Sequence, residues 1–420
     1  MKKIFLTAIA LITMATQVFG MYGVDSGDWI GFLTHGNQFR ARLNQLGFTL
    51  GNDTIKGTFG FHSGANGIVG TFAQENKNTT APGDQSGQPT LKTYYDFLPT
   101  ISMGLAYTSP LISVGVGYNA TIGTNKWQKY NGKDDAKTKD AVVHTPVLVL
   151  NALDNAFRMA VPIQILHLSD KTTVKGFGND GKYSMTAVSL EAQFRYYTGL
   201  EIVPQIRLLL KYGTYKYATD YKGQEKDKGT LAESFGFQFR LYFGTTVEDV
   251  SVQPFIRIDY DTALGKQHNQ KKVVATEILG RNWLSDASAA NGPSDWERAW
   301  AKPAWELKIL PSLGLAANSD LVEFYLEPSL GFKVTQDGSA TDKNIKDVFG
   351  LAYGVYAEIY VRPVKTLEWY FETSIGNLDV SVDKPETTAG AGDGETYRGK
   401  SKDRLNFNAS TGITWYLPQL

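Results

Sequence analysis

The chain has 420 residues, 42% of them hydrophobic, with 42 basic and 42 acidic side chains and no cysteine. The balanced charge excludes the basic footprint of a nucleic-acid binder, and the missing cysteines exclude disulfides, thiolate catalysis and cysteine-ligated metals. Negative mean hydropathy excludes a helical membrane protein but not a β-barrel, half of whose strand residues face water.

Residues 1–20 read as a secretory leader. Lys2 and Lys3 form its basic start, Ile4 to Ala15 its apolar stretch, and Val18-Phe19-Gly20 its cleavage site. The apolar run is short of the roughly 18–20 residues that a spanning helix needs. The mature chain is expected to begin at Met21.

Residues 21–46 form an N-terminal periplasmic or plug segment. Within 26–46, Trp29, Phe32, Leu33, Phe39, Leu43 and Leu46 recur at helical steps after Ser26 or Asp28, which favours a helix. The competing reading is a first strand at 38–44, with Phe39, Ala41 and Leu43 alternating against Arg40 and Arg42.

From 47 to 420 the pattern is that of an all-β transmembrane barrel. Asn52-Asp53 separates two short alternating runs, and Gly67 to Ala73 is a third. Residues 93–108 and 111–122 form a hairpin about Ser109-Pro110. Strands near 142–151 and 156–168 flank Asp154-Asn155, the first of them apolar on both faces. The clearest stretch is 183–264. There Val188, Leu190, Ala192 and Phe194 alternate, then Ile202 to Tyr212, Phe235 to Phe243, and Val252 to Tyr260, against Glu191, Arg195, Arg207, Lys211, Gln238, Arg240, Arg257 and Asp259. Such a period of two marks a strand with one apolar and one polar face, and a tilted membrane strand needs about 9–11 residues of it.

The alternation returns at 305–315, 322–334, 349–361, 367–375 and 403–417. Short connections fall at 109–110, 153–155, 199, 245–249, 318–320 and 363–365. Long ones fall at 74–92, 123–141, 169–182, 218–229, 265–302, 337–346 and 381–402. Short turns on one side and long loops on the other are the habit of antiparallel up-and-down outer-membrane barrels. Counting 47–51, 54–62 and 66–73 separately gives 16 strands, and merging them gives 14. Tyr94, Tyr107, Tyr118, Tyr183, Tyr196, Tyr217, Trp369, Tyr370, Trp415 and Tyr416 sit at strand ends, as an interfacial aromatic belt requires.

Three stretches resemble a known family: MKKIFLTAIALITMATQVFGMYG at the start, DWIGFLTHGNQFRARLNQLGFTLGN at 28–52, and the following TIKGTFGF. They are similar to the variable surface proteins of spirochaete outer membranes, and the likeness runs from leader to C-terminus. The resemblance implies an abundant surface-exposed outer-membrane antigen present as related copies. It brings no site residues. The chain ends Trp415-Tyr416-Leu417-Pro418-Gln419-Leu420, where barrels of this class usually end in Phe.

The chemistry to weigh lies in the expected lumen. Its basic residues are Arg158, Arg195, Arg207, Lys211, Arg240 and Arg257, and its acidic ones Glu306, Glu323, Glu327, Glu358, Glu368 and Glu372. These twelve are the candidate pore-lining residues, one wall basic and the facing wall acidic. Lumen charge of this kind tunes selectivity. The alternative is that Glu191, Glu201, Asp259 and Asp261 pair with the arginines and block the interior.

The five histidines, His35, His62, His144, His167 and His268, lack metal-ligand spacing. His167-Leu168-Ser169-Asp170 is the one cluster with hydrolase chemistry, and Ala389 to Gly394 lacks the strand and helix of a phosphate loop. The expectation is therefore no enzyme, no cofactor and no metal. In the 265–302 loop, Trp296 and Trp300 share one face at i, i+4 and want the lumen, another loop or a neighbouring copy to pack against. Two functions fit: a porin-like passive channel, or an adhesion or display barrel with no open channel. Expected partners are outer-membrane lipid, the barrel-insertion machinery, antibody or a host surface, and, alternatively, a homo-oligomer.

Overall fold

The computed structural model describes residues 26–42, 45–62, 99–123, 141–171, 181–221, 224–247, 250–264, 270–279, 302–339, 346–378 and 405–417. Helix α1 is Ser26–Gly31. The strands run β1 Gln38–Arg42, β2 Gln45–Gly51, β3 Ile55–His62, β4 Thr100–Tyr107, β5 Ile112–Gly123, β6 Ala141–Ala152, β7 Phe157–Lys171, β8 Gly181–Tyr197 and β9 Gln205–Tyr221. They continue with β10 Gln224–Tyr242, β11 Thr245–Val247, β12 Val250–Ala263, β13 Trp305–Asn318, β14 Val322–Gln336, β15 Val348–Val364, β16 Leu367–Gly376 and β17 Asn406–Leu417. Helix α2, Ala275–Leu279, lies between β12 and β13.

Every pairing is antiparallel and between sequence neighbours until the ends meet. There β1 pairs with β2 on one side and β17 on the other, so that Arg40 stands opposite both Gly47 and Tyr416. The segments β10 and β11 share one row against β12, which makes a closed barrel of 16 strands.

Exposure is inverted relative to a soluble protein. Met103, Leu105, Val116, Leu330 and Phe349 are 50, 60, 60, 60 and 71% exposed, while Ser102 and Asn119 are 1 and 3% exposed. An outer face of bare apolar side chains is a liability in water and the natural surface against lipid.

The N-terminal segment departs from the favoured helix over 26–46. The helix ends at Gly31, and 38–42 is the first barrel strand. Phe39 and Ala41 face out and Arg40 faces in, the alternation of the competing reading. The residues 218–229, read above as a loop, instead continue the β9–β10 hairpin, so these strands of 17 and 19 residues outrun the bilayer. The turn placed at 199 occupies 198–204. The leader, the strand at 66–73, the start of the strand at 93–108 and the tryptophan pair at 296 and 300 lie outside the described residues. Three members of the expected aromatic belt, Tyr217, Tyr370 and Tyr416, face the lumen, whereas Tyr107, Tyr196, Trp369 and Trp415 are outward and exposed.

Strand β6 is apolar on both faces for a physical reason. Outward Leu148 meets lipid, while inward Val143, Val147 and Val149 are covered by segments inserted into the barrel.

The outer face gives a first test. Phe237 sits mid-strand on β10, its ring 5.7 Å from that of outward Tyr260. Phe237→Arg is expected to destabilise the barrel in vesicles by about 2–4 kcal/mol, because a cation at the bilayer midplane is poorly solvated. Phe237→Leu keeps the face apolar and should lose less than about 1.5 kcal/mol. Denaturant titration of the two variants in lipid measures both, and equal stability would contradict a lipid-facing Phe237.

Candidate functional site

Strand register puts all twelve charged candidates on the inner face, and it arranges them. Arg158 of β7 lies directly opposite Arg195 of β8, Arg195 opposite Arg207 of β9, Arg207 opposite Arg240 of β10, and Arg240 opposite Arg257 of β12. Five arginines thus stand side by side across five adjacent strands. Like charges directly opposed in a sheet are destabilising, so each needs compensation.

Some of it is present. Arg257 binds Asp259 at 2.6 Å. Arg240 donates through Nε to Gln238. Arg158 donates to the Asn155 carbonyl and the Thr34 hydroxyl and covers the Tyr197 ring, and Arg207 covers the Tyr242 ring. Lys211 pairs with Asp261 at 3.1 Å. Asp259 and Asp261 are therefore partners of this wall, as the blocking alternative supposed: Asp259 bonds Arg257 and acts also on Arg240, and Asp261 bonds Lys211. Nε and Nη1 of Arg195 and Nε of Arg207 are buried without a hydrogen-bond acceptor.

The acidic wall is more completely matched. Glu368, fully buried, accepts from Arg362 at 2.8 and 2.9 Å and from the Tyr416 hydroxyl at 3.0 Å, with Arg42 at 4.0 Å. Arg362 also holds Glu323 at 2.9 Å, and Arg42 holds Glu372 at 3.7 Å. Glu306 binds Lys308 at 2.8 Å and Lys271 at 3.5 Å. Glu327 accepts from Tyr325 at 2.6 Å, and Glu358 accepts from Tyr356. The hydroxyls leave Glu327 and Glu358 their charge, and Glu327 acts on Arg240 of the opposite wall.

These partners were not among the twelve, although alternation marks two of them: Arg42 follows outward Ala41, and Arg362 follows outward Val361. The two walls face one another across a cavity of about 390 Å³ lined by Arg207, Arg240 and Arg257 on one side and by Tyr325, Glu327, Tyr356 and Glu358 on the other.

Two segments of the chain fill the rest of the wall formed by β4 to β10. From the short-turn end, α1 and the residues after it enter the lumen. Trp29, Ile30 and Phe32 are fully buried there, against Ala106, Val147, Val149 and Ala160. Gly104 and Gly117 make this possible. A Cβ on Gly117 would stand 2.3 Å from the Trp29 ring. Lys56 ties the segment down, donating to the carbonyls of Leu33 and His35 at 2.8 and 2.7 Å. The His35 imidazole is pushed down to about 4 by burial and by the nearby Arg40, Lys56, Arg158 and Arg195, so it is neutral at pH 7.

From the long-loop end, residues 271–279 fold inward. Val273, Ala275 and Ile278 pack on Val143, Leu166, Met185, Tyr215 and Leu231. The Val273 amide donates to Ser234 Oγ and the Ala275 amide to Ser189 Oγ, at 2.9 and 3.0 Å. Gly213 leaves room for the Val273 carbonyl, which lies 1.9 Å from where a Cβ would be.

The hydrolase-like cluster is part of a strand, because β7 continues to Lys171. His167 faces out to Thr186 Oγ1 at 3.0 Å, and Leu168 is buried on the other face. Among the described residues no three His, Cys, Asp or Glu side chains converge as metal ligands. The glycine-rich run at 389–394 and His268 lie outside them.

Comparison with known proteins adds two kinds of likeness. Among solved structures the chain is similar to a copper transporter, OprC, at 10% identity and a TM-score of 0.36, covering 91% of this chain and 64% of that one. It is also similar to the ferric yersiniabactin uptake receptor FyuA of Yersinia pestis, at 11% identity and a TM-score of 0.32, covering 81% of this chain and 60% of that one. The chain thus spans under two thirds of the length of either. No curated protein matches it. The family model described as Serpulina hyodysenteriae variable surface protein matches residues 2–416. With that match along nearly the whole of a closed outer-membrane-type barrel, the chain belongs to the Serpulina hyodysenteriae variable surface protein family.

Proposed function

We propose that this outer-membrane surface barrel is a display protein, a variable antigen whose long loops are its working part and whose lumen is occupied by its own chain. The observation that carries the reading is the double insertion. Trp29, Ile30 and Phe32 enter from one end, Val273, Ala275 and Ile278 from the other, and both sets are buried. Barrels of 16–18 strands are wide enough for an aqueous channel, and filling that space with apolar side chains removes it. A barrel of this kind needs no catalytic residue and no cofactor. Its loops present the surface that antibody or a host surface would meet, after a leader ending at Gly20 has been removed.

A porin-like passive channel is the second reading, favoured by the charged cavity between Arg207, Arg240 and Arg257 and the tyrosines and glutamates opposite.

Display is tested on intact cells. The chain has no cysteine, so a single introduced one is a clean target. A cysteine replacing Gly392, in a long connection, is expected to react with an impermeant maleimide. One replacing Asn318, beside a short turn, is expected to stay unlabelled until the envelope is opened. Labelling at Asn318 and not at Gly392 would contradict the reading.

A further inference from the structure

We infer that the arginine row is an anion-binding site for a small tetrahedral oxyanion of the phosphate or sulfate type. Its floor is Arg195 and Arg207, flanked by Arg158, Arg240 and Arg257.

Three observations converge. The first is register. The five guanidiniums come from directly opposed positions on β7, β8, β9, β10 and β12, so their spacing is set by the sheet. The sheet cannot relax that spacing without breaking its ladder, and an unoccupied row is under mutual repulsion.

The second is the count of counter-charges. Among the described residues, the carboxylates beside the row are Asp259, already on Arg257, and Glu327 and Glu358, which line the cavity opposite and accept from Tyr325 and Tyr356. His35, Arg40 and Lys56 add no negative charge on the side of Arg158 and Arg195. Three carboxylates thus stand against five guanidiniums, and none of the three is bonded to Arg195 or Arg207.

The third is the orphaned donors. Arg195 is 5% exposed, and its Nε and Nη1 have no acceptor; nor has Nε of Arg207. A buried donor left unmade is costly, more so on a charged group. An oxyanion supplies what is missing. Its oxygens accept from several planar guanidinium forks at once, which suits arginine better than lysine. The cavity of about 390 Å³ lined by Arg207, Arg240 and Arg257 gives such an ion room beside the row, with Arg195 directly opposite Arg207 in the sheet. On the opposite wall Glu306, Glu323, Glu368 and Glu372 are paired with Lys308, Arg362 and Arg42. Glu327 and Glu358, held by hydroxyls that leave them their charge, lie on the side of Arg240 and Arg257, which leaves Arg195 and Arg207 as the floor of the site. The inference stands whether or not the lumen conducts.

The test is titration calorimetry of the folded full-length barrel in neutral detergent. Inorganic phosphate is injected at constant ionic strength held with chloride. Saturable binding near one phosphate per chain is expected, weakened about tenfold or more in Arg207→Gln and in Arg195→Gln. Lys228→Gln, which removes the same charge from an exposed position outside the lumen, should bind as the parent does. Thermal unfolding gives a second readout that needs no variant to bind. Without phosphate, Arg207→Gln should unfold at or above the parent's temperature, since it relieves repulsion. With saturating phosphate the order should reverse. Absence of saturable heat in the parent overturns the inference. So does equal binding by Arg207→Gln, or a phosphate shift of the same size in parent and variant, which would mark a general salt effect on folding. If Arg207→Gln fails to fold, competition of sulfate against phosphate in the parent decides: displacement supports the site, and two independent heats overturn it.

Discussion

Glu368→Ala is expected to destabilise the barrel by about 3–5 kcal/mol, the usual result of breaking a buried ion pair by removing one partner. Glu368 is fully buried at the seam where the ends of the sheet meet. It joins Arg362 of β15 and Tyr416 of β17, and Arg42 of β1 lies at its edge. Removing its carboxylate leaves Arg362 with Glu323 alone, and Arg42 with Glu372 at 3.7 Å. The same change at exposed Glu225, paired with Lys228, should alter stability by under about 1 kcal/mol. Denaturant titration of the folded barrel in detergent checks both. A Glu368→Ala variant as stable as the parent would show that the seam does not depend on this network.

Trp29→Ala is expected to undock the N-terminal segment while leaving the barrel closed. The indole is fully buried between Gly104 and Gly117, and truncating a packed Trp loses about 3–5 kcal/mol. That loss falls on a six-residue helix held otherwise by Lys56, Arg158 and its own turn, so it exceeds what the segment can absorb. Amide hydrogen exchange should then show residues 29–35 losing protection, with β1, paired to β2 and β17, keeping its own. Gly117→Val should do the same from the other side of the contact. Unchanged protection at 29–35 would contradict the docking. His35 adds a pH dependence with a definite sign. Its pKa is about 4 when docked and 6.5 in the free segment. Docking is therefore fully favoured above pH 6.5 and weakens as pH falls from 6.5 to about 4, levelling off below that, where the docked imidazole too must charge among four cations.

The barrel was legible because its strands alternate so regularly. Val188 to Phe194 or Val252 to Tyr260 can be placed on an outer face from their own period. The segment 26–46 was harder. Trp29, Phe32 and Leu33 do belong to a buried helical turn, and Phe39, Leu43 and Leu46 happen to continue its spacing. What makes 38–42 a strand is pairing with β17, at the far end of the chain, and no local pattern carries that. The charged walls divide in the same way. That Arg195 and Arg207 face inward follows from alternation. That they stand directly opposite one another depends on inter-strand register, which turn geometry and closure set. The inward fold of 271–279 left only a faint mark, Val273-Val274-Ala275 inside a polar loop, and the room for it comes from Gly213 on a different strand.

Whether the barrel's own chain occupies its lumen is decided by planar-bilayer recording of the folded wild-type protein. Insertion is verified first by protease resistance of the strands in the same lipid. An electrically silent barrel at neutral pH, without stable stepwise conductance, is expected. Steady, uniform steps of the size given by open 16-stranded porins, from protein with Trp29 still buried, would contradict it.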